Sequence, residues 1–341
     1  MQAQPFDWNV RTGFPDPPVP TANPMSPAKV ELGRHLFYDR RLSVNGGESC
    51  ASCHKQELAF TDGLAHAKGT TGQAHPRSSM SLVNIAYAPA LTWADPDATE
   101  LERQALTPMF GTNPVELGLQ GQEGRVLSEI TGDTVYRALF ASAFPGETPS
   151  VDLITKALAA FERTIISTRS PYDRYRYGGE PNAISEAAKR GEKVFFSSEK
   201  AGCFQCHGGW NFSGPVRYAG GPPTHAEFVN TGVYRSYLDP NTGLARHSGS
   251  ATDEGKFRVP TLRNIAVTAP YMHDGSMATL AEVVEHYVRG GRAAHPHKSS
   301  ILRPLSLSAS DRGDLIEFLR SLTDEELLRD SRFSDPWARR R

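Results

Sequence analysis

The sequence has few cysteines, almost no net charge and no long apolar run, and each absence excludes a class of protein. A net charge of −1 gives no basic field for nucleic acid, and we interpret the arginines at 339–341 as a solvated tail. No stretch approaches the roughly 18 consecutive apolar residues of a membrane-spanning helix. With 38% hydrophobic and 22% charged residues, the 341-residue chain is predicted to be globular, with no nucleic-acid partner and no membrane span.

All four cysteines fall in two copies of one five-residue pattern, so none remains for a disulfide bond. The pattern Cys-x-x-Cys-His is typical of covalent haem attachment, in which two thioethers hold the porphyrin and the histidine ligates the iron. A thioredoxin-like redox site and a zinc site are the alternatives, but paired zinc motifs usually lie about 15–20 residues apart. We therefore predict two covalently bound haem c groups, at Cys50, Cys53 and His54 and at Cys203, Cys206 and His207.

The predicted haem c groups also indicate the cellular compartment of the protein. Bacteria attach haem c after export, so we expect a periplasmic protein. Residues 1–5 lack the basic and apolar regions of a signal peptide. We therefore expect that the chain is a mature form whose export signal has been removed.

Capping residues and proline content predict the domain organisation. The proline-rich residues 1–25 are predicted to form an N-terminal arm, and residues 61–125 to form structured loops. The stretch 170–182 is predicted to be turn-rich, and strand signals are short. Helices are predicted to begin at Ser26, Ser150, Ser185, Thr279 and near Ser310. We predict a mainly α fold of two cytochrome c-like haem domains, residues 26–168 and 169–341, with only short β elements.

One predicted helix carries a candidate ligand for the second haem iron. Tyr287 lies seven, four and three residues after Leu280, Val283 and Val284, which places it on the buried stripe of that helix. A core tyrosine with a hydrogen-bonded hydroxyl would show the same pattern. Periodicity therefore leaves four competing ligands open, which are Met272, Met277, His273 and His286.

Several segments outside the two motifs form a recognisable set. They are LFYD at 36–39, FTD at 60–62, FERT at 161–164 with Ser170-Pro171, VPTLRN at 259–264 and APYMHDG at 269–275. Across about residues 26–325, the chain resembles the dihaem cytochrome c peroxidase and MauG superfamily. The resemblance implies a haem-dependent oxidoreductase that uses hydrogen peroxide.

The resemblance implies that the haem held by His54 is the one that reacts with peroxide. It places Gln104 and Glu116 above this haem as catalytic residues and Pro108 in the pocket wall. A carboxylate can take the first proton of hydrogen peroxide and return it to the departing oxygen, while an amide holds the peroxide by hydrogen bonding. Without the resemblance, Glu116 has the pattern of a solvated loop carboxylate.

The resemblance also implies two features between the domains. Trp93 falls where the superfamily has a tryptophan that carries electrons or holes between the haems, although a core packing role is the alternative. Asn84, Thr268 and Pro270 match positions that supply oxygen ligands to a calcium ion. All three residues are neutral, which fits a hard cation bound by amide, hydroxyl or backbone oxygens, but such residues are also routine in loops.

The sixth ligand of the second haem separates the two branches of the superfamily. Peroxidases have methionine where this chain has Tyr287, so the resemblance is closer to MauG. It implies that peroxide produces a high-valent bis-Fe(IV) state, which oxidises an aromatic residue of a partner protein. MauG has a tryptophan two residues before the second motif, where this chain has Ala201, and Trp210 is the candidate substitute for hole transfer to the surface.

The segment at 322–337 is most similar to MauG-like enzymes encoded with methanobactin and copper-uptake genes, the MbnH group. This narrower resemblance implies oxidation of tryptophan to kynurenine in a periplasmic copper-binding partner. Two alternatives remain open. A cytochrome c peroxidase would reduce peroxide with electrons from a small cytochrome or cupredoxin, with Met272 or Met277 on the second iron. A non-enzymatic dihaem electron carrier would have six-coordinate haems throughout.

Overall fold

The structure is a computed structural model that describes residues 6–338. The predicted basic tail at 339–341 and the first five residues of the predicted arm lie outside the described residues. The described part is mainly helical, with one two-stranded antiparallel sheet formed by β1 (Phe228–Val229) and β2 (Phe257–Arg258). The predicted fold class is confirmed. Within residues 6–338, no helix is both long enough and apolar enough to cross a membrane.

The helices follow one another in two groups. The first group is α1 (Pro27–Phe37), α2 (Cys50–Cys53), α3 (Leu101–Gln104), α4 (Leu106–Phe110), α5 (Glu123–Gly132), α6 (Thr134–Ala143) and α7 (Val151–Arg163). The second group is α8 (Pro171–Tyr177), α9 (Glu186–Phe196), α10 (Ala245–Ser248), α11 (Leu280–Val288) and α12 (Ala309–Arg320).

The predicted helix starts are confirmed by their caps. The hydroxyls of Ser26, Ser150 and Ser185 each accept the backbone N–H three residues further on, and Thr279 does the same for α11. These bonds satisfy N–H groups that have no partner within the helix. The last helix, α12, is capped by Ser308, two residues before the predicted start.

The prediction of a turn-rich stretch at 170–182 is wrong in part, because α8 lies within it. The hydroxyl of Ser170 accepts the N–H of Asp173, and the Asp173 carboxylate accepts the N–H of Ser170. This reciprocal capping, with Pro171 at the first helical position, starts a helix despite the proline. Helices α5 and α6 were not predicted either, and residues 61–125 contain the short helices α3 and α4.

Two helix pairs repeat one packing arrangement. Helix α1 crosses α7 at Gly33, where an added Cβ would collide with the carbonyl of Ala157. Helix α9 crosses α12 at Gly191, where a Cβ would collide in the same way with the carbonyl of Asp314. Since only glycine permits this approach, the two crossings are equivalent. Each half of the chain therefore has its own helix pair with the same glycine crossing.

Two asparagines repeat a second arrangement. Asn84 (φ 56°) and Asn264 (φ 61°) both adopt the left-handed conformation that asparagine tolerates. The Oδ1 of Asn84 accepts the N–H of Ser167 at 2.8 Å, just after α7. The Oδ1 of Asn264 accepts the N–H of Asp324 at 2.7 Å, just after α12. Each asparagine therefore ties a loop of its half to the end of that half's last helix.

Each helix pair encloses its own apolar core. One core is centred on Phe37 and Phe161, and the other on Phe195 and Phe318. The segment after α12 returns to the first core, where Phe333 is buried. The division at residues 168 and 169 stays a prediction.

Candidate haem sites

The first motif presents a histidine whose Nδ1 is held by the backbone. Cys50 and Cys53 lie at the two ends of α2, and His54 follows directly. His54 Nδ1 lies 2.8 Å from the carbonyl oxygen of Phe60. Because a carbonyl only accepts, Nδ1 carries the proton and Nε2 has the free lone pair that an iron ligand needs.

The second motif repeats this geometry. His207 Nδ1 lies 3.0 Å from the carbonyl oxygen of Phe212. Phe60 and Phe212 both have positive φ, 61° and 51°, which turns each carbonyl back toward its histidine. Burial lowers the pKa of both His54 and His207 and so favours the neutral ring that binds metal. Both motifs therefore fit a haem whose iron the histidine would hold.

A large cavity adjoins the second motif. Its volume is about 270 Å³, and it is lined mainly by apolar atoms. Cys203, Cys206, His207 and Tyr287 line it, and Trp93 lines it on the side of the first half. The cavity therefore brings together the second motif, the predicted sixth ligand and the predicted bridge.

The residues that line the cavity reduce the number of candidate ligands for the second iron. His286 has both ring nitrogens engaged, since Nε2 bonds the Thr231 carbonyl at 3.0 Å and Nδ1 accepts the N–H of Arg292 at 3.2 Å. Met277 is fully buried in the second apolar core and is not among the residues that line the cavity. Three of the five candidates line it, which are Met272, His273 and Tyr287.

Of these three residues, Tyr287 is the one whose pKa is affected by the cysteines of the second motif. It lies on α11, and burial raises the pKa of its phenol above the usual value. The thiols of Cys206 and Cys203 raise this pKa further, so the phenol is close to both haem-attachment positions. His273 instead stacks on Phe257, with ring centroids 3.8 Å apart.

Arg258 is a feature of the cavity that the sequence reasoning missed. The side chain is buried, and burial lowers the pKa of its guanidinium to about 10. Its contacts, the Thr92 carbonyl at 3.2 Å and the Met80 sulfur at 3.5 Å, are neutral. A buried cation held by neutral groups fits an anionic cofactor, and haem propionates have that charge. Its position directly before the VPTLRN segment was the available signal.

Backbone hydrogen bonds hold the segment that contains Glu116 next to Pro108. The N–H of Leu117 donates to the carbonyl of Pro108 at 2.9 Å, and the N–H of Thr70 donates to the carbonyl of Glu116 at 2.8 Å. Gly69 lies against Glu116 so closely that an added Cβ would collide with its backbone. Gln104 is partly buried and ends α3, four residues before Pro108.

Glu116 is electrostatically coupled to the first motif. Burial raises the pKa of its carboxyl to about 7. Burial is the main cause that raises the pKa of the Cys53 and Cys50 thiols, and the Glu116 carboxylate adds to the shift of both. A carboxyl that titrates near neutral pH beside a reaction centre suits acid–base work.

Trp93 connects the first half to the cavity. Its indole Nε1–H donates to the carbonyl of Ser78 at 2.9 Å, and its ring packs in a small cluster with Tyr237 and Phe257. The N–H of Ser78 in turn donates to the carbonyl of His273 at 3.0 Å. The indole is thus both packed and fixed by a hydrogen bond, which fits either of the predicted roles.

The three predicted calcium ligands line the same cavity. Asn84 Oδ1 already accepts the N–H of Ser167, so one acceptor position remains on that oxygen. The Thr268 hydroxyl donates to the carbonyl of Ile265 at 3.3 Å. Neutral oxygens alone make a weak cation site. The residues Asn84, Thr268 and Pro270 therefore fit at most a loosely held ion that keeps several waters.

Trp210, the candidate substitute for the missing surface tryptophan, lies in an aromatic cluster. Its ring is edge-on to Tyr87 at 4.8 Å and to Phe14 at 5.1 Å. The Arg263 guanidinium lies 5.5 Å from its centroid. Ala201, where MauG has tryptophan, lines the cavity. A role of Trp210 in hole transfer stays a prediction.

Two equivalent histidines, each with its Nδ1 bonded to a backbone carbonyl beside a cysteine pair, and two equivalent helix pairs fit a di-haem protein of the cytochrome c type. Residues 27–181 match the family described as di-haem cytochrome c peroxidase. Because relatives at least 36% identical also match over 90% or more of the chain, the chain belongs to this family. It is therefore a haem-dependent oxidoreductase of a family that acts with hydrogen peroxide and with a partner or electron-donor protein.

Relatives of the chain include proteins named cytochrome-c peroxidase and proteins named MauG. Cytochrome-c peroxidase IdrP1 of Denitromonas iodatirespirans is 37% identical, over 92% of this chain and 86% of its own. Methylamine utilization protein MauG of Methylorubrum extorquens is 36% identical, over 90% of this chain and 82% of its own. A crystal structure of a MauG-like protein associated with microbial copper homeostasis is 43% identical, with a TM-score of 0.93 over 97% of this chain and 99% of that one.

Proposed function

We propose that this protein uses hydrogen peroxide to oxidise an aromatic residue of a partner protein, as MauG-like enzymes do. The two haems, attached covalently through the paired cysteines, supply the redox chemistry when bound. Each peroxide reduced to two waters accepts two electrons and two protons, and the partner's aromatic side chain supplies them. Tryptophan is the expected target. Two peroxides together remove four electrons and four protons from its indole, two waters supply the oxygen atoms of N-formylkynurenine, and hydrolysis then releases formate and leaves kynurenine.

The observation that carries this proposal is the position of Tyr287. Tyr287 is partly buried, and it lines the same cavity as Cys203, Cys206 and His207. An anionic phenolate favours oxidised iron, whereas a thioether favours ferrous iron and a high potential. A tyrosine ligand therefore supports an oxidising role for the second site rather than the acceptance of electrons from a small cytochrome.

At the first site, the chain's own residues would manage protons and exclude water. Glu116 would accept the first proton of peroxide and return it to the departing oxygen, while Gln104 holds the peroxide by a hydrogen bond. Pro108, bonded through its carbonyl to Leu117, would fix the pocket wall next to Glu116. The raised pKa of Glu116, about 7, suits a group that must both accept and return a proton.

Trp93 would carry charge between the two sites, because it lines the cavity at the second motif while its indole N–H donates to the carbonyl of Ser78 in the first half. We further propose that the protein acts in the periplasm. Its partner would be a copper-binding protein, a proposal supported by the similarity to the MauG-like protein associated with copper homeostasis.

A cytochrome c peroxidase is the second candidate function, and Met272 favours it. Met272 lines the same cavity and is only partly buried, so its thioether is a candidate for the sixth position. In that case the second haem would receive electrons from a small cytochrome or cupredoxin. The name of one relative, cytochrome-c peroxidase IdrP1, agrees with this candidate.

One experiment separates the two. The holoprotein is mixed with stoichiometric peroxide and with periplasmic copper-binding proteins, and the partners are examined by mass spectrometry for oxygen added to an aromatic residue. Tyr287→Phe and Met272→Leu are compared with the wild type, with resting absorption spectra recorded for each. We expect Tyr287→Phe to change the spectrum of the second haem and to abolish partner oxidation, and Met272→Leu to change neither.

The opposite pattern would favour the peroxidase. In that case Met272→Leu changes the spectrum, Tyr287→Phe leaves it unchanged, and peroxide only oxidises a reduced small cytochrome in repeated turnovers. Six-coordinate spectra at both haems, with no response to peroxide, would instead indicate an electron carrier.

A further inference from the structure

A histidine that the proposed peroxide chemistry does not yet use faces Glu116. His75 Nε2 lies 3.7 Å from Glu116 Oε1, and about a third of each side chain is exposed. The pair therefore lies at the mouth of the first site, where solvent reaches both groups. A small movement of either side chain would shorten this distance to a hydrogen bond, and such contacts often tighten only when the reactant is bound.

The backbone decides which nitrogen of His75 carries the proton. The N–H of Arg77 donates to His75 Nδ1 at 3.3 Å. A backbone N–H is an obligatory donor, so Nδ1 must accept and the proton of the neutral ring lies on Nε2. Nε2 is the nitrogen that faces Glu116. The loop therefore fixes a tautomer in which His75 donates toward the carboxylate.

The loop that carries His75 is folded onto the Glu116 segment. The N–H of His75 donates to the carbonyl of Ala67 at 2.7 Å, and the N–H of Thr70 donates to the carbonyl of Glu116 at 2.8 Å. His66 Nδ1 bonds the carbonyl of His75 at 3.0 Å. These contacts fix the backbone of the loop at His75, and none of them uses the Nε2–H of its ring.

The charged and titratable groups around His75 favour its neutral form. Burial lowers the pKa of His75, as do the nearby Arg77 cation and His66, while the Arg77 backbone and Asp62 raise it. The ring is then a hydrogen-bond donor at neutral pH rather than a second cation. A neutral donor stabilises the carboxylate that it faces.

We propose that His75 is a positioning residue of the peroxide site, whose Nε2–H donates to Glu116 and holds its carboxylate aimed and ionised. This inference rests on the proposed role of Glu116 as the acceptor of the first proton from peroxide. Because that step requires the carboxylate form, a donor at its entrance extends the reaction toward lower pH.

The test compares two variants and a control in the holoprotein. His75→Phe removes the donor and keeps a ring, whereas His75→Gln places an amide N–H close to the position of Nε2. His225→Phe, at an exposed histidine of the second half, is the matched control. The Glu116 carboxyl is titrated by infrared spectroscopy, with its C=O band assigned by its loss in Glu116→Gln. The rate of the peroxide-induced absorption change is measured over the same pH range.

In His75→Phe we expect the carboxyl titration to move up by about one pH unit. The peroxide rate at about pH 7 should fall by about five- to tenfold and should recover near about pH 9, where the carboxyl is ionised again. His75→Gln should stay within about twofold of the wild type, and His225→Phe should match the wild type.

Unchanged titration and rate in His75→Phe would overturn the inference. An equal loss of rate in both His75 variants at every pH, with an unmoved carboxyl titration, would show that His75 only packs the loop and would overturn it as well. If Glu116→Gln reacts with peroxide as fast as the wild type, the proposed role of Glu116 fails. A shifted titration in His75→Phe would then still support the contact between the two residues.

Discussion

Arg263 and Asp173 form a fully buried ion pair that ties helix α8 to the loop of the second motif. Nη1 lies 2.7 Å from Oδ2 and Nη2 lies 2.9 Å from Oδ1, and both side chains are inaccessible to solvent. Nη2 of Arg263 also donates to the carbonyl of Trp210 at 2.6 Å, three residues after His207. The pair therefore fixes the loop that begins at the proposed iron ligand.

Asp173→Asn should destabilise the protein by about 3–5 kcal/mol, because it leaves the Arg263 charge buried without a counter-ion. The free energy of unfolding in urea measures this loss. Asp314→Asn is the control, since Asp314 makes a similar two-point contact with Arg190, whose side chain is 57% exposed. A loss of similar size in both variants would show that burial is not the cause.

Residues close in sequence were predictable and distant contacts were not. Ser26, Ser150 and Ser185 start their helices as predicted, because a cap and an apolar stripe are local properties. Helix α8 was missed because Pro171 also occurs in turns, and the buried partner of Asp173 is 90 residues away. A contact between two residues so far apart leaves no local pattern in a single sequence.

In the candidate site, too, local features were predictable and distant contacts were not. The two cysteine motifs and the inward position of Tyr287 follow from spacing alone. His75 could not be identified from sequence, since its tautomer depends on the Arg77 N–H and its target lies 41 residues later. Arg258 looks like any charged residue in a strand until its burial is known.

Gly69→Ala should damage the peroxide site while the second half stays intact. A methyl group at residue 69 would meet the carbonyl of Val115 and the backbone of Glu116, so the Glu116 segment must move. We expect the peroxide-induced absorption change to slow by at least about tenfold, as a misplacement of about 1 Å can cost about 100-fold in rate. The spectrum of the second haem should not change.

Gly124→Ala is the matched control for Gly69→Ala. Gly124 lies in helix α5, with nothing within 4 Å of an added Cβ. It should keep the wild-type rate and gain up to about 1 kcal/mol of stability from the better helix former. Equal rates in all three proteins would show that the Gly69 contact does not position Glu116.

The peroxide reaction should accelerate with rising pH and reach half of its maximal rate near pH 7. The pKa of Glu116 is raised by burial to about 7, and a proton acceptor works only when ionised, so activity is lost as the pH falls below this value. One unit below the pKa, the rate should be about tenfold lower than at the plateau. Stopped-flow absorption in wild type and Glu116→Gln tests this, and a flat wild-type profile would contradict it.

We expect removal of the proposed calcium ion to lower the melting temperature without unfolding the protein. The neutral residues Asn84, Thr268 and Pro270 offer a weak site, so dialysis against a chelator should remove the ion, with metal analysis before and after as the measure. The melting temperature should then fall by a few degrees, with the helical circular dichroism unchanged. Asn84→Ala should destabilise the protein with or without calcium, because Ser167 then loses the partner of its N–H.

Trp93→Phe should separate peroxide reduction at the first site from oxidation of the partner. Phenylalanine fills most of the space beside Tyr237 and Phe257, but it is much harder to oxidise than indole and cannot donate to Ser78. We expect the reaction of the first site with peroxide to stay within about threefold of the wild type, because the residues around Glu116 are unchanged. Oxygen incorporation into the partner, measured by mass spectrometry, should fall by at least about tenfold, the effect of about 1.4 kcal/mol on a rate. Trp210→Phe is the matched comparison. If it alone stops partner oxidation while Trp93→Phe does not, charge leaves through the aromatic cluster of Trp210 and Trp93 is only a packing residue.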